Sequence, residues 1–272
     1  MTSLVVWVGA DSRGPSSMNI ASDSRLSWSG EKPYYWDQGK KIYASTTEPF
    51  LVGFTGDVLF PALVLPGLID RIDRRLVPAG IPLLDYVYSA LRAGWEKYPP
   101  KEQRSFSLFV CHREGIGMES LFRLDRMAVD RKLNWSREAI HVPETSQTLI
   151  IDGSGKESIE AGVATWQTGP TENTSRAVFS GFVDGLVAGG DPISGGSPQL
   201  GSIYRVGTGR LLGIVHEKER YFAGVRLLGD EQPQGVEWRN ALFERADGVS
   251  KRRLSNAQHH ERPDCSSEAG DD

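Results

Sequence analysis

Two cysteines, Cys111 and Cys265, are all that the 272 residues contain, and they stand far apart. A disulfide framework is therefore excluded as the basis of the fold, and a cytosolic (cytoplasmic) setting is expected. No apolar run approaches the roughly 20 residues needed to cross a bilayer, so no membrane association is expected. The start of the chain lacks the basic region, apolar stretch and cleavage site of a secretory signal. Neither charge sign dominates: 31 Lys and Arg face 35 Asp and Glu, a formal net charge of -4. That balance argues against a general nucleic-acid binder. The five histidines, His112, His141, His216, His259 and His260, show no metal-ligand spacing with cysteines or acids. The pair His259-His260 falls in a polar tail, where solvent exposure is expected. Gly153-Ser154-Gly155-Lys156-Glu157 lacks the upstream glycine and the Ser or Thr of a phosphate loop. The glycines of Gly207-Thr208-Gly209 and Gly213 are wrongly spaced for a dinucleotide fingerprint. No cofactor and no metal are expected.

What is present is ordinary for a globular protein: 39% hydrophobic and 24% charged residues, enough for one large domain or two small ones. Strand-like runs occur at Leu4–Val8, Met18–Arg25, Lys41–Ala44 and Phe50–Phe54, with a polar loop over Gly9–Ser17. A helical stripe follows from Asp57 to about Arg75 through Leu59, Leu63, Leu65, Leu68, Ile69 and Ile72, with Pro61 and Pro66 inside it. A second helix is expected over Leu83–Tyr98, stopped by Pro99-Pro100. Strands are then expected at Ser105–Cys111, Ser120–Leu124, Ala139–Val142 and Thr148–Ile151, helices at Ser158–Trp166 and Thr174–Val187, and strands at Ser202–Val206, Leu211–Val215 and Tyr221–Val225. Strands, two helices, strands, two helices and strands suggest helix pairs covering opposite faces of stacked, mainly antiparallel sheets, an α+β arrangement. The composition changes after Leu228. A domain over residues 1–228 is expected, followed by a polar C-terminal extension over 229–272 with one short helix at Val236–Arg245 and disorder from Ala246.

Several short strings bear chemistry. Loss of Met1 would leave Thr2 with a free α-amine beside its hydroxyl. An α-amine has a pKa of about 7.7–8.0, suited to taking the hydroxyl's proton near neutral pH. Asp23 ends the second strand-like run and can hold a lysine; Lys41 can favour deprotonation of a nearby hydroxyl. Gly53-Phe54-Thr55-Gly56 ends a strand just before a helix, where exposed backbone N–H groups can stabilise an oxyanion. In Asp191-Pro192-Ile193-Ser194-Gly195-Gly196, a carboxylate and a hydroxyl three residues apart share a tight turn. Each string alone also has a plain structural explanation as a turn, a surface charge or a glycine loop.

Taken in order, these strings resemble the proteasome β-subunit family of N-terminal nucleophile hydrolases, including bacterial proteasome-like threonine peptidases. Thr2 stands at the family's nucleophile position, and Ala21-Ser22-Asp23-Ser24-Arg25 resembles its Ala-x-Asp-Ser-Arg segment. Lys40-Lys41-Ile42 is similar to the Lys-Lys-Val/Ile element, with Lys41 the better match to the catalytic lysine. Gly53-Phe54-Thr55-Gly56 resembles the Gly-Phe-Ala-Gly loop, Gly153-Ser154-Gly155 the Gly-Ser-Gly turn, and Asp191-x-x-Ser194-Gly195-Gly196 the Asp-x-x-Ser-Gly-Gly loop. The matches span about Thr2 to Val206.

The resemblance implies a four-layer αββα sandwich and a threonine endopeptidase. In it Thr2 attacks, Gly56 donates to the oxyanion, Lys41 and Asp23 activate, and Ser154, Asp191 and Ser194 orient the amine. It also implies peptide or unfolded-protein substrates, a homo-oligomeric ring and an ATP-dependent unfoldase partner. Two alternatives stay open: a small-amide hydrolase of the same chemistry, and a non-catalytic scaffold subunit. Only Met1 precedes Thr2 in this sequence, so its removal by methionine aminopeptidase is the expected route to the free amine. Three features depart from the family pattern: the long Gly9–Ser17 loop, Asp57 where many members carry a second glycine, and the polar tail after Gly229.

Overall fold

A computed structural model describes residues 2–28, 32–229, 231 and 233–263. The first six strands are β1 (Ser3–Asp11), β2 (Gly14–Ser22), β3 (Leu26–Trp28), β4 (Tyr34–Trp36), β5 (Ile42–Ala44) and β6 (Phe50–Gly56). Helices α1 (Leu59–Asp73) and α2 (Leu83–Glu96) follow. Then come β7 (Phe106–Glu114), β8 (Leu121–Val129), β9 (Trp135–Ile140) and β10 (Gln147–Gly153). Helices α3 (Lys156–Gln167) and α4 (Ser175–Val187) lead to β11 (Gln199–Tyr204), β12 (Arg210–His216), β13 (Glu219–Phe222), β14 (Val225–Arg226), β15 (Trp238–Asn240) and β16 (Arg245–Ala246). The content is α+β, with two large sheets and four helices among the described residues. One sheet runs β10-β1-β2-β11-β12-β13-β14 and the other β5-β6-β7-β8-β9; their pairings are antiparallel except for β12 with β15.

Period-two alternation explains the stacking. Along β1, Val5 and Trp7 join one cluster with Ile159, Val163, Phe179, Phe182 and Val183 of α3 and α4. Leu4, Val6 and Val8 point the other way, into a cluster with Ile42, Leu51, Phe109, Cys111 and Leu124 of the five-stranded sheet. On that sheet's far face Phe50, Val52, Phe54, Leu108 and Val110 pack with Leu65, Leu68, Leu84, Val87, Leu91 and Trp95 of α1 and α2. Strands so placed are apolar on both sides, which is why β1 reads as a continuous run rather than an alternating one. At Gly53 a Cβ would stand 2.9 Å from both Ile20 and Leu4, so the sheets approach closely at that point.

Several expectations need correction. The loop expected over Gly9–Ser17 is a hairpin: β1 and β2 pair as far as Asp11 with Gly14, leaving only Ser12 and Arg13 in the turn. Helix α1 continues through both prolines. Pro61 lies in the first turn, where its missing N–H has no partner to lose, and only Pro66 forfeits a bond. Leu59 and Leu63 leave the expected stripe and are exposed. The short helix expected at Val236–Arg245 is instead the strand pair β15–β16, with β15 added in parallel to β12. Its Trp238 is buried with Val215 and Ala246, a tertiary contact that overrides local helical spacing. The disorder expected from Ala246 does not hold through residue 263. His260 and Ala257 are buried, and the buried carboxylate of Glu244 accepts from the His260 backbone N–H at 2.8 Å. The remainder of that expectation, residues 264–272, lies outside the described residues. Hairpin β3–β4 was not anticipated; it carries exposed Trp28, Tyr34, Tyr35 and Trp36.

Candidate active site

Strand β1 begins at Ser3, so Thr2 sits where the chain enters the larger sheet between β10 and β2. It is fully buried. Its backbone N–H donates to Ser154 Oγ at 3.2 Å, and its carbonyl accepts from Gly155 N–H at 3.4 Å. This closeness depends on Gly153, whose φ of +102° favours glycine and whose Cβ would lie 1.9 Å from the Thr2 carbonyl oxygen. Met1, on whose loss the nucleophile expectation depends, lies outside the described residues.

Asp23 follows the end of β2, opposite the start of β1, because Leu4 pairs with Ser22. Its carboxylate is fully buried and fully used. Oδ1 accepts from Lys41 Nζ at 2.6 Å and from the Ser3 backbone N–H at 3.0 Å. Oδ2 accepts from Gly195 N–H at 3.0 Å and Arg25 N–H at 3.3 Å. Lys41, just before β5, is also fully buried, so the ion pair joins the end of β2 in one sheet to the start of β5 in the other. Burial, opposed by the attraction of Asp23, holds the Lys41 ammonium below the usual lysine range. Its amine therefore deprotonates more readily than a surface lysine's.

The loop at 191–196 meets this centre from the other side. Ser194 Oγ lies 2.6 Å from Ser3 Oγ, one residue beyond the amine that the sequence led us to expect it to serve. Asp191 faces its own turn: Oδ1 accepts from Ile193 N–H at 3.1 Å, its carbonyl accepts from Ser194 N–H at 3.2 Å, and Oδ2 is buried without a hydrogen bond among the described residues. A Cβ at Gly155 would fall 2.0 Å from Ser3 Oγ, so a larger residue there would displace that hydroxyl. Gly56 ends β6 with a φ of +86°, and Thr55 beside it donates to Asp152 Oδ2 at 2.7 Å, tying that end of β6 to β10. An open cleft of about 490 Å³ is lined by Thr55, Gly56, Asp152, Arg126 and Arg131. Asp57, which stands where many family members carry a second glycine, accepts from Phe60 N–H at 3.4 Å at the start of α1.

The structure thus gathers Asp23 and Lys41 in direct contact, Thr2 with Ser154, and Ser194 with Ser3. It also recruits residues that sequence reasoning missed. Gln199 is buried and makes three bonds: Oε1 accepts from Lys41 N–H at 3.1 Å, and Nε2 donates to the carbonyls of Asp23 and Gly39 at 2.9 and 2.8 Å. Arg25 pairs bidentately with Asp37 at 2.7 and 2.9 Å and donates to the Pro192 carbonyl at 3.0 Å, locking the 191–195 loop against the end of β2. Ser3 lay beside the nucleophile candidate and Arg25 within the quoted Asp-Ser-Arg string, so both had a local signal; an isolated Gln199 had none.

A hydroxyl residue at a strand start, a fully buried lysine–carboxylate pair bonded to the next residue, and glycine turns on either side constitute a polar centre equipped for proton transfer. No protein-family model matches the chain, and no curated protein matches it. Among solved structures the chain is similar to eukaryotic HslV from Trypanosoma brucei, with 13% sequence identity and a TM-score of 0.46 over 74% of this chain and 99% of that one. The functional reading rests on the site geometry and not on that likeness.

Proposed function

We propose that the chain is a threonine-type peptidase of the N-terminal nucleophile class, acting once Met1 has been removed. The observation that carries this reading is the Asp23–Lys41 pair, buried without any exposure and fastened through Asp23 Oδ1 to the backbone N–H of Ser3, the residue after Thr2. A buried charge pair costs several kcal/mol per ion to desolvate, and apolar residues of similar volume often replace one without loss. A site that needs a cation next to a hydroxyl gives such a pair a purpose. The order of the sequence strings adds support, as do the three apolar clusters, which we read as the seams of a four-layer αββα sandwich.

In the proposed reaction Thr2 Oγ attacks a peptide carbonyl carbon while the Thr2 α-amine takes the hydroxyl proton. The Gly56 N–H stabilises the tetrahedral oxyanion. Collapse expels the amine product, which receives that proton, and leaves an ester on Thr2. Water, deprotonated by the same amine, attacks the ester and releases the acid, restoring the hydroxyl. Lys41 lowers the hydroxyl's pKa electrostatically, Asp23 positions Lys41, and Ser154 orients the amine, while Ser194, in contact with Ser3 Oγ, and Asp191, which shapes the turn that carries Ser194, hold the loop beside it. Peptide or unfolded-protein substrates, a homo-oligomeric ring and an ATP-dependent unfoldase belong to the same proposal.

The test joins two measurements on purified protein. Intact-mass analysis reports whether Met1 is lost, and an epoxyketone probe, which reacts with both the hydroxyl and the amine of an N-terminal threonine, reports the geometry. The expected result is one adduct on Thr2, absent in Thr2→Ala, with peptide hydrolysis lost in that variant. Retained Met1 together with no adduct and no turnover overturns the proposal.

A further inference from the structure

The C-terminal extension builds a second polar site, away from the centre described above. A cavity of about 250 Å³ lies where residues 239–260 cover the N-terminal end of α4. Three arginines line it: Arg176 from the first turn of α4, Arg239 from β15 and Arg245 from β16. The one carboxylate in its wall, Glu244, is already committed. Its Oε1 accepts from the His260 backbone N–H at 2.8 Å and pairs with His259 Nδ1 at 3.0 Å, and its Oε2 accepts from Asn240 Nδ2 at 2.6 Å. Burial works against its ionisation, but these hydrogen bonds outweigh burial and hold the carboxyl below its usual range. Arg239 shares its charge with Glu237 at 2.5 Å. Positive charge still predominates in the wall.

Two atoms here are out of keeping with a merely structural cluster. Arg239 Nε and His260 Nε2 are buried and make no hydrogen bond among the described residues, and both side chains line the cavity. A buried unpaired polar atom costs about 1–3 kcal/mol. The His260 tautomer follows from its other nitrogen: Nδ1 lies 3.0 Å from the Leu242 carbonyl, which only accepts, so Nδ1 carries the hydrogen and Nε2 presents a lone pair. A bare imidazole lone pair would suit a metal ion, but three arginines in the same wall repel a cation. The site instead asks for a ligand with several acceptor oxygens for the guanidinium groups and one O–H donor for His260 Nε2. Sulfate and carboxylates lack that hydrogen at neutral pH. A phosphate group, whose second ionisation lies near pH 6–7, retains it in part.

We propose that this cavity is a binding site for a phosphate group, free or carried by a small monoester, held by Arg176, Arg239 and Arg245 with His260 Nε2 accepting from the P–OH. The position of Arg176 at a helix N-terminus adds the favourable end of the α4 dipole.

Calorimetric titration of the full-length protein at constant ionic strength tests this, with inorganic phosphate, O-phosphoserine and sulfate as probes. The expected result is saturable binding of phosphate or phosphoserine at one site, with Kd on the order of 1 mM or tighter. The tighter of the two identifies the source of the group. Arg176→Gln and Arg245→Gln should each weaken binding ~10-fold or more, since each removes a charge-assisted bond. Arg245 is exposed, so its variant is expected to fold even if Arg176→Gln does not. Sulfate should bind ~10-fold or more weakly than phosphate. Absence of binding by both phosphate probes at about 10 Kd of the expected value overturns the proposal; so does binding that both variants leave unchanged, or sulfate binding as tight as phosphate.

Discussion

Replacing Lys41 with methionine keeps the length of the side chain and removes its charge. Asp23 would then hold a buried carboxylate with its backbone donors from Ser3, Arg25 and Gly195 but no cation. Breaking one partner of a buried pair costs about 3–5 kcal/mol. The remaining N–H donors still solvate the carboxylate, so the lower end, about 3 kcal/mol, is expected. With a urea m-value near 3 kcal/mol/M, that is a fall of about 1 M in the unfolding midpoint. The pH dependence separates this cause from a packing defect. Burial lowers the folded pKa of Lys41, so between that pKa and about 10.4 the unfolded state binds more protons and wild-type stability gains with pH. Lys41→Met lacks this gain, so its deficit relative to wild type should widen as pH rises through that window. The wild-type-minus-variant difference isolates this gain from other titrating groups. Urea titrations at pH 4, 7 and 9.5 measure all of it, with Asp23→Asn/Lys41→Met expected to recover part of the loss. A deficit independent of pH, or one below about 0.5 kcal/mol, the ordinary scatter of surface substitutions, would refute the burial of this pair.

Two further outcomes are expected. Gly153→Ala forces a side chain onto the Thr2 carbonyl at a positive φ, so denaturant unfolding should show a loss of about 2 kcal/mol or more, and a neutral effect would mean that Thr2 does not approach that turn. Burial pushes the Cys111 thiol well above the usual range, so in Cys265→Ser protein a disulfide reagent at pH 8 should find no reactive thiol in the native state and one after unfolding; prompt native labelling would show that the seam between the sheets opens.

Most of the elements were legible because local patterns agree with the fold. The helical stripes of α2, α3 and α4, and the apolar runs of β1, β6 and β7, fall close to where periodicity puts them. The site was legible in pieces: Asp23 and Lys41 stood in recognisable strings and do meet, and Ser154 does reach Thr2. The failures cluster where non-local contacts decide. Val236–Arg245 has helical spacing but is drawn into strands by pairing with β12 and by burial of Trp238. His260, in a stretch polar enough to suggest solvent, is buried because Glu244 accepts its backbone N–H and Leu242 accepts from its ring.

Composition and periodicity by themselves determined that this chain forms an α+β fold, and which residue types stand ready for proton transfer. Those properties are local, set by side-chain volume, hydrogen-bonding capacity and the repeat of helix or strand. Only the tertiary structure decided that Asp23 Oδ1 serves both Lys41 and Ser3, that Gln199 ties three backbone groups around them, and that the polar extension closes over α4 to form an arginine-lined cavity. Such contacts join positions from about twenty to more than 150 residues apart, and no property of either segment alone specifies the other.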